Sequence, residues 1–283
     1  MYWLTAKPGT GKSITMGYVV NHLKSLQHSC AFYFFTSGDR QKSNINVFLR
    51  SIVWQIASKH QRVFDHIIRQ CKKDPQLANA DHRKMWRKMF LEGIFKIQLP
   101  TAYYLVIDAL DECWNSSDMI PLLAKAAEQK TFRVFLTSRN SSETYEWFYS
   151  RKLTIVSERI PLSSTEADIG LYIAEYIHTL PAIGQDRNAA REAIRNSIVE
   201  KSSGCFLWVR LTLRELRNVH TSEDVRQVLE EVPSDMDQLY SYILASMSGL
   251  KRSNMVQAST PSKNKIPKLP QQSKRSRDSP NGR

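Results

Sequence analysis

The opening stretch of the chain restricts its fold more than any other segment. Met1-Tyr2-Trp3-Leu4-Thr5 reads as a short buried strand, and it runs straight into Ala6-Lys7-Pro8-Gly9-Thr10-Gly11-Lys12-Ser13. That is the A/G-x-x-x-x-G-K-S pattern of a phosphate-binding loop, with Ala6 where glycine is commonest. Met16, Val19, Val20 and Leu23 follow at the spacing of one helix face. A strand, this loop and a helix in sequence is the context such a loop needs. Gly9 and Gly11 let the backbone come close enough to wrap phosphates with its N–H groups. The helix presents its positive end to them. Lys12 then reaches the β- and γ-phosphates, and the Ser13 hydroxyl takes one Mg²⁺ position. The expected nucleotide-binding set is Ala6, Lys7, Pro8, Gly9, Thr10, Gly11, Lys12, Ser13 and Ile14.

A second signal sits a hundred residues on. Tyr103-Tyr104-Leu105-Val106-Ile107-Asp108 is an apolar run ending in an acid, followed by Ala109-Leu110-Asp111-Glu112. Such a run reads as a buried parallel strand delivering a carboxylate at its carboxyl end. Asp108 is placed to hold Mg²⁺ through water. Asp111 or Glu112 would polarise an attacking water, with Glu112 the favoured base. Phe132-Arg133-Val134-Phe135-Leu136-Thr137-Ser138-Arg139 is a further buried strand, expected beside the Asp108 strand. Its end makes Arg139 a candidate sensor of the terminal phosphate, since a guanidinium is planar and always charged; the alternative is a surface arginine.

The rest of the chain supplies architecture. Cys30–Phe35 is an aromatic strand. Helices are expected around Ile45–Ile56, Val63–Cys71, Met85–Ile94 and Met119–Gln129, and 153–156 is the expected last strand. Ser163-Ser164-Thr165-Glu166 is a capping-box signal. Helices are then expected over 189–200, 205–219, 223–231 and 234–247, with no strand signal among them. These patterns predict an α/β parallel-sheet P-loop domain over 1–160, an all-helical lid over 161–249 and a disordered basic tail over 250–283.

Composition narrows the function. Hydrophobic residues make up 42% of the chain and aromatics 10%, as in a globular protein. No apolar run is long enough for a membrane span, and no signal peptide is legible. Cys30, Cys71, Cys113 and Cys205 lack metal or disulfide spacing, which fits free thiols in a reducing, cytoplasmic setting. The net charge is +13, but the stretch from Lys251 to Arg283 holds nine Lys/Arg against one acid, Asp278, and so carries +8 of it. The basic balance therefore does not mark the folded part as a nucleic-acid binder. A localisation role for Lys274-Arg275-Ser276-Arg277 is the alternative to a plain solvated tail.

Together these stretches resemble the NACHT group of signal-transducing P-loop NTPases (STAND NTPases), most of all the fungal version with a nephrocystin-like amino-terminal domain. Trp3–Ser13, Leu105–Cys113 and Phe135–Arg139 carry the likeness, with Gly204-Cys205-Phe206-Leu207-Trp208-Val209-Arg210-Leu211 and Leu229–Pro233 leading into Leu239-Tyr240. The resemblance implies a nucleotide-gated switch that binds ATP or ADP with Mg²⁺, GTP being an alternative, hydrolyses slowly and self-associates. It implies a lid after Ile160, with Gly204–Trp208 near the adenine and Phe206 where relatives often carry proline. Relatives also carry an effector domain before the loop and a repeat sensor after the helices, which implies that this chain is a piece of a larger receptor. Three other readings compete: a P-loop kinase for a small acceptor, a nucleic-acid-stimulated ATPase and a non-hydrolysing scaffold.

Overall fold

The computed structural model describes residues 1–140, 146, 155–180, 188–217 and 219–246. Five strands form one sheet: β1 Tyr2–Thr5, β2 Ser29–Phe34, β3 Tyr103–Asp108, β4 Phe132–Ser138 and β5 Val156–Arg159. Their spatial order is β2-β3-β4-β1-β5, and every pairing is parallel. Strand β4 lies beside the acid-tipped strand β3, as expected from the sequence, and the structure adds that it separates β3 from the loop-bearing strand β1. The last strand lies later than the expected 153–156. It begins at Val156 because Tyr2 pairs with Val156 and Thr5 with Arg159, so the length of β1 sets its extent; positions 153 and 154 fall outside the described residues.

The inner strands β1, β3 and β4 are buried for most of their length, which is why they read as apolar runs, whereas edge strand β5 is mostly exposed. Helix α1 (Lys12–Ser25) lays Met16, Val20 and Leu23 on one face, against Cys30 and Val106. On the other face Trp3, Ala31, Leu105, Ile107 and Leu136 meet a larger layer. That layer holds α2 (Ile45–Ala57), α3 (Gln61–Lys73), α4 (His82–Met85) and α5 (Ser116–Ala127). Edge strand β2 is closed by α2. The Gln55 side chain accepts from Phe32 N–H at 3.0 Å and donates to Phe32 C=O at 2.9 Å, removing a free pairing site at the sheet edge.

The helix expected over Met85–Ile94 is not one regular helix. After α4 the chain makes a π turn over Trp86–Leu91 and a 3₁₀ turn over Ile94–Lys96. Packing of large rings explains the departure: Trp86 stacks on Phe90 at 4.4 Å, and Phe95 stands edge-on to both and to Phe132.

No strand follows β5 among the described residues. Helices α6 (Leu162–Ile177), α7 (Asn188–Ser202), α8 (Phe206–Leu216) and α9 (Ser222–Glu231) complete a compact unit that runs from Met1 to Ser234. The capping box expected at Ser163–Glu166 does not form. Pro161 takes the N-cap position with φ −66°, Leu162 is already helical, and Thr165 N–H reaches back to Pro161 C=O at 3.3 Å. The second unit holds α10 (Met236–Ser246), started by Asp235, whose carboxylate accepts from Asp237 and Gln238 N–H at 3.0 Å each. The expected basic tail lies outside the described residues.

Candidate functional site

The parallel register sets the strand ends along one edge. Thr5 stands opposite Ser138 and Arg159, Leu4 opposite Thr137, and Ile107 opposite Leu136, so Asp108 comes level with Thr137. The chain also reverses direction across the sheet at β1, going first to β2 on one side and later to β5 on the other. Ligands of open parallel sheets bind at such a reversal, beyond the carboxyl ends.

The loop itself is tight. Ala6 is buried, Lys7 and Pro8 are exposed, and Thr10 Oγ1 donates to Lys7 C=O at 2.8 Å. Gly9 at φ +73° and Gly11 at φ +89° occupy the left-handed region that favours glycine, and Gly11 is the N-cap of α1. The Lys12 ammonium curls over the loop and donates to Ala6 C=O and Lys7 C=O, both at 2.9 Å. Burial pushes its pKa below the ordinary lysine value. Asp111, Asp108 and Glu112 pull it back up, while Arg139 adds to the lowering. Ser13 and Ile14 begin α1 with exposed side chains.

The acids occupy a bonded cluster. Asp108 is buried, and its Oδ1 accepts from Thr137 Oγ1 at 2.6 Å. Thr137 Oγ1 in turn accepts from Ala109 N–H at 3.0 Å, holding the left-handed residue (φ 55°) at which the chain leaves β3. The 3₁₀ turn Leu110–Glu112 then presents two further carboxylates. Asp111 accepts from Arg139 N–H at 2.9 Å and lies 3.2 Å from Arg139 Nε. Glu112 Oε2 accepts from Ser37 N–H at 2.7 Å, and its other oxygen is 3.9 Å from Arg139 Nη2. Asp108, Asp111, Glu112 and Arg139 are thus brought together beside Lys12. Thr137 and Ser37 join the cluster without having been singled out. Thr137 lay within the quoted Thr-Ser-Arg end of β4, whereas a backbone N–H such as that of Ser37 has no sequence signature.

The helical part covers the loop. A Cβ placed on Gly9 would lie 2.5 Å from Cys205 Sγ and 3.2 Å from Leu207 Cβ, and one on Gly11 would lie 3.8 Å from the Phe206 ring. Trp208, fully buried, anchors this stretch by donating from Nε1 to Pro233 C=O at 2.7 Å. Beside the loop, Lys7, Thr10, Arg159, Ile160, Leu162 and Ser203 line a cavity of ≈ 300 Å³.

The residues fit Mg²⁺. Among the described residues no cluster of three or more His, Cys, Asp or Glu forms a metal cage. Mg²⁺ bound with nucleotide needs none, because it takes one or two protein oxygens and fills its shell with phosphate and water. Asp108 Oδ2 and the Ser13 hydroxyl are oxygens of that kind.

Residues 1–139 match the family described as nephrocystin 3, N-terminal. Over 264 residues the chain is 24% identical to the vegetative incompatibility protein HET-E-1 of Podospora anserina, a match covering 86% of this chain and 18% of that protein. The chain therefore spans less than a fifth of that relative's length. Solved structures overlap with it as well. The structure of C. elegans PCH-2 does so with a TM-score of 0.42 at 12% identity, covering 81% of this chain and 59% of that one. The FIGL-1 AAA domain has a TM-score of 0.39 at 12% identity, covering 86% and 75%. Both overlaps are partial, and the fold assignment stands on strand order and register. No described helix is long and apolar enough to cross a membrane, and all four cysteines are free. The match over residues 1–139 and the likeness to HET-E-1 together support a NACHT-like P-loop NTPase domain.

Proposed function

We propose that the chain is a nucleotide-gated switch: it binds ATP or ADP with Mg²⁺, hydrolyses ATP slowly and reports the nucleotide state through the helical lid. One observation carries the reading: Cys205, Phe206 and Leu207 rest directly on the two glycines of the phosphate loop. Phosphates entering that loop would press on the same surface as the lid.

In this reading the loop N–H groups and the start of α1 bind the phosphate chain. Lys12 exchanges its two loop carbonyls for phosphate oxygens. Mg²⁺ would neutralise charge on the terminal phosphates, held by Ser13 and, through water, by Asp108. Thr137 keeps Asp108 pointed at that position. Glu112 holds the attacking water and takes its proton. The clasp from Ser37 N–H ties down one carboxylate oxygen, leaving the other as the base. Asp111 holds Arg139 at the strand end, where the guanidinium can register the terminal phosphate. The ≈ 300 Å³ cavity beside Lys7 and Thr10 takes the nucleoside. Self-association and a larger receptor context belong to the same proposal, supported by the likeness to a much longer relative.

The competing enzyme reading, transfer to a small acceptor, is tested with labelled ATP and a panel of sugars and nucleosides. The switch reading expects label released only as inorganic phosphate, with release slowed by Glu112→Gln. Label appearing on any acceptor would overturn it.

A further inference from the structure

Charge is uneven within the folded part as well as in the tail. Residues 59–96, which hold α3, α4 and the turns after them, carry ten Lys/Arg against Asp65, Asp74, Asp81 and Glu92, a net +6. With +8 in the stretch from Lys251 onward, the rest of the chain is left at −1. The four acids are spent on near neighbours. Lys84 lies 2.6 Å from Asp74, Lys88 lies 2.7 Å from Glu92, and Asp81 caps α4. Asp65 accepts from the Gln61 side chain at 2.9 Å. Arg62, Arg69, Lys72 and Lys73 are exposed on α3, and their side chains make no hydrogen bond or ion pair among the described residues.

The same helix exposes apolar side chains. Its inner side is Val63, fully buried, with His66 and Ile67 half-buried. Phe64 (46% exposed) and Ile68 (38%) stand clear of that side at i, i+4. Lys72 continues their row, and Arg62, Arg69 and Lys73 form a second row at i, i+7, i+11. A single exposed apolar side chain is ordinary. Here two adjoin, on the helix that also holds the unpaired cations. An apolar ridge flanked by cations is the pattern of a helix that rests in a membrane interface.

A partner for this face must supply negative charge and take up apolar side chains at once. Duplex nucleic acid supplies the charge, but its phosphate edge offers Ile68 no apolar contact and Phe64 no unstacked base. A bilayer of anionic phospholipid supplies both, with headgroup charge for the cations and the acyl boundary just beneath it. We propose that α3 is a docking surface for an anionic phospholipid bilayer, resting in its interface without crossing it. Arg62, Arg69, Lys72 and Lys73 meet the headgroups, and Phe64 and Ile68 dip between them. This mode needs no spanning helix, and none of the described helices is long and apolar enough to span. None of these residues belongs to the phosphate loop, the acid cluster or the lid stretch, so the surface stands independently of the nucleotide switch.

The test is flotation of the full chain with vesicles of phosphatidylcholine alone and of phosphatidylcholine mixed with phosphatidylserine, at low and physiological salt. Three double variants are compared: Arg69→Glu with Lys72→Glu, Phe64→Ala with Ile68→Ala, and Lys42→Glu with Lys130→Glu, which removes the same charge elsewhere. Denaturant unfolding confirms that each is folded. The wild-type protein should float with the phosphatidylserine vesicles only. Arg69→Glu with Lys72→Glu should weaken partitioning about tenfold or more, and the control pair much less. Phe64→Ala with Ile68→Ala, which leaves the charge unchanged, should weaken it about fivefold or more. Changing Lys274, Arg275 and Arg277 to Ala together tests the tail, and the losses caused by the α3 variants should persist in that background. The proposal is overturned if the wild-type protein ignores phosphatidylserine, or if neither α3 variant differs from the control pair. It is also overturned if all binding disappears with the tail change, or if a duplex DNA probe, and not the vesicles, is bound through Arg69 and Lys72.

Discussion

The acid edge of the sheet and the helical stretch over the phosphate loop flank the same residues but are held by different forces. Asp108, Asp111, Glu112 and Arg139 are fixed by directional bonds to Thr137, to Ser37 N–H and to one another. Cys205, Phe206 and Leu207 are held over Gly9 and Gly11 by shape, with their anchor further along at Trp208. Directional bonds at strand ends fix atoms in place, as charge neutralisation and water activation need. A contact made by shape gives way when something enters beneath it. In the proposed switch the first wall does chemistry and the second moves.

Breaking the acid wall has the largest expected effect. Glu112→Gln keeps the clasp from Ser37 but removes the base. Single-turnover hydrolysis should fall by about 10²–10⁴-fold, the usual contribution of a general base, with ATP binding retained. Equal loss in Asp111→Asn with none in Glu112→Gln would exchange their roles. Breaking the shape-held wall comes next. Gly9→Ala puts a methyl against Cys205 Sγ at a left-handed position, and should cost about 1–3 kcal/mol in denaturant unfolding. If the lid contact is the cause, Cys205→Gly should recover part of that loss in a double-mutant cycle. Full additivity would assign the whole cost to the backbone.

Thr137→Val sharpens the contrast. It deprives Asp108 Oδ1 of its donor and Ala109 N–H of its acceptor, an expected cost of about 1–3 kcal/mol from the unpaired groups, read by chemical denaturation. Weaker Mg²⁺ dependence of ATP binding should accompany it. Trp208→Phe removes the bond to Pro233 C=O and should cost about 1–2 kcal/mol, with the lid loosened before the sheet in hydrogen exchange.

The smallest effect is at the β1–β5 edge. Burial first, then the hydrogen bond and charge of Glu158, push the Tyr2 hydroxyl from 10.0 up to about 12. The fold therefore favours neutral Tyr2. That contribution is whole below pH 10 and is lost as the pH climbs towards 12. Tyr2→Phe should flatten the stability profile across that window, as read by denaturation at a series of pH values.

Much of the site was legible because it is carried by local pattern. The loop glycines, Lys12 and the acid after β3 each sit where a strand ends, and strand ends of a parallel sheet share one edge. The adjacency of β3 and β4 followed from the same logic, whereas the place of β1 on the far side of β4 did not. What sequence could not give was non-local. The bond from Thr137 to Asp108 exists only because β3 and β4 are neighbours in register. The hold of Ser37 on Glu112 uses a backbone N–H that every residue but proline has. The capping box at Ser163–Glu166 failed because Pro161 had already set the helical turn. The π turn at Trp86–Leu91 belongs to ring packing, which overrides local helix preference.

The most direct measurement of the central claim is a titration of ATP and ADP, each with Mg²⁺, into the protein and into Lys12→Ala, with exchange at Cys205–Trp208 followed in parallel. The account predicts saturable binding of both nucleotides, weakened about 100-fold or more by Lys12→Ala, about 2.7 kcal/mol, and changed exchange at the lid stretch that differs between ATP and ADP. A folded protein that binds neither nucleotide, or binds them with no change over Cys205–Trp208, would contradict it.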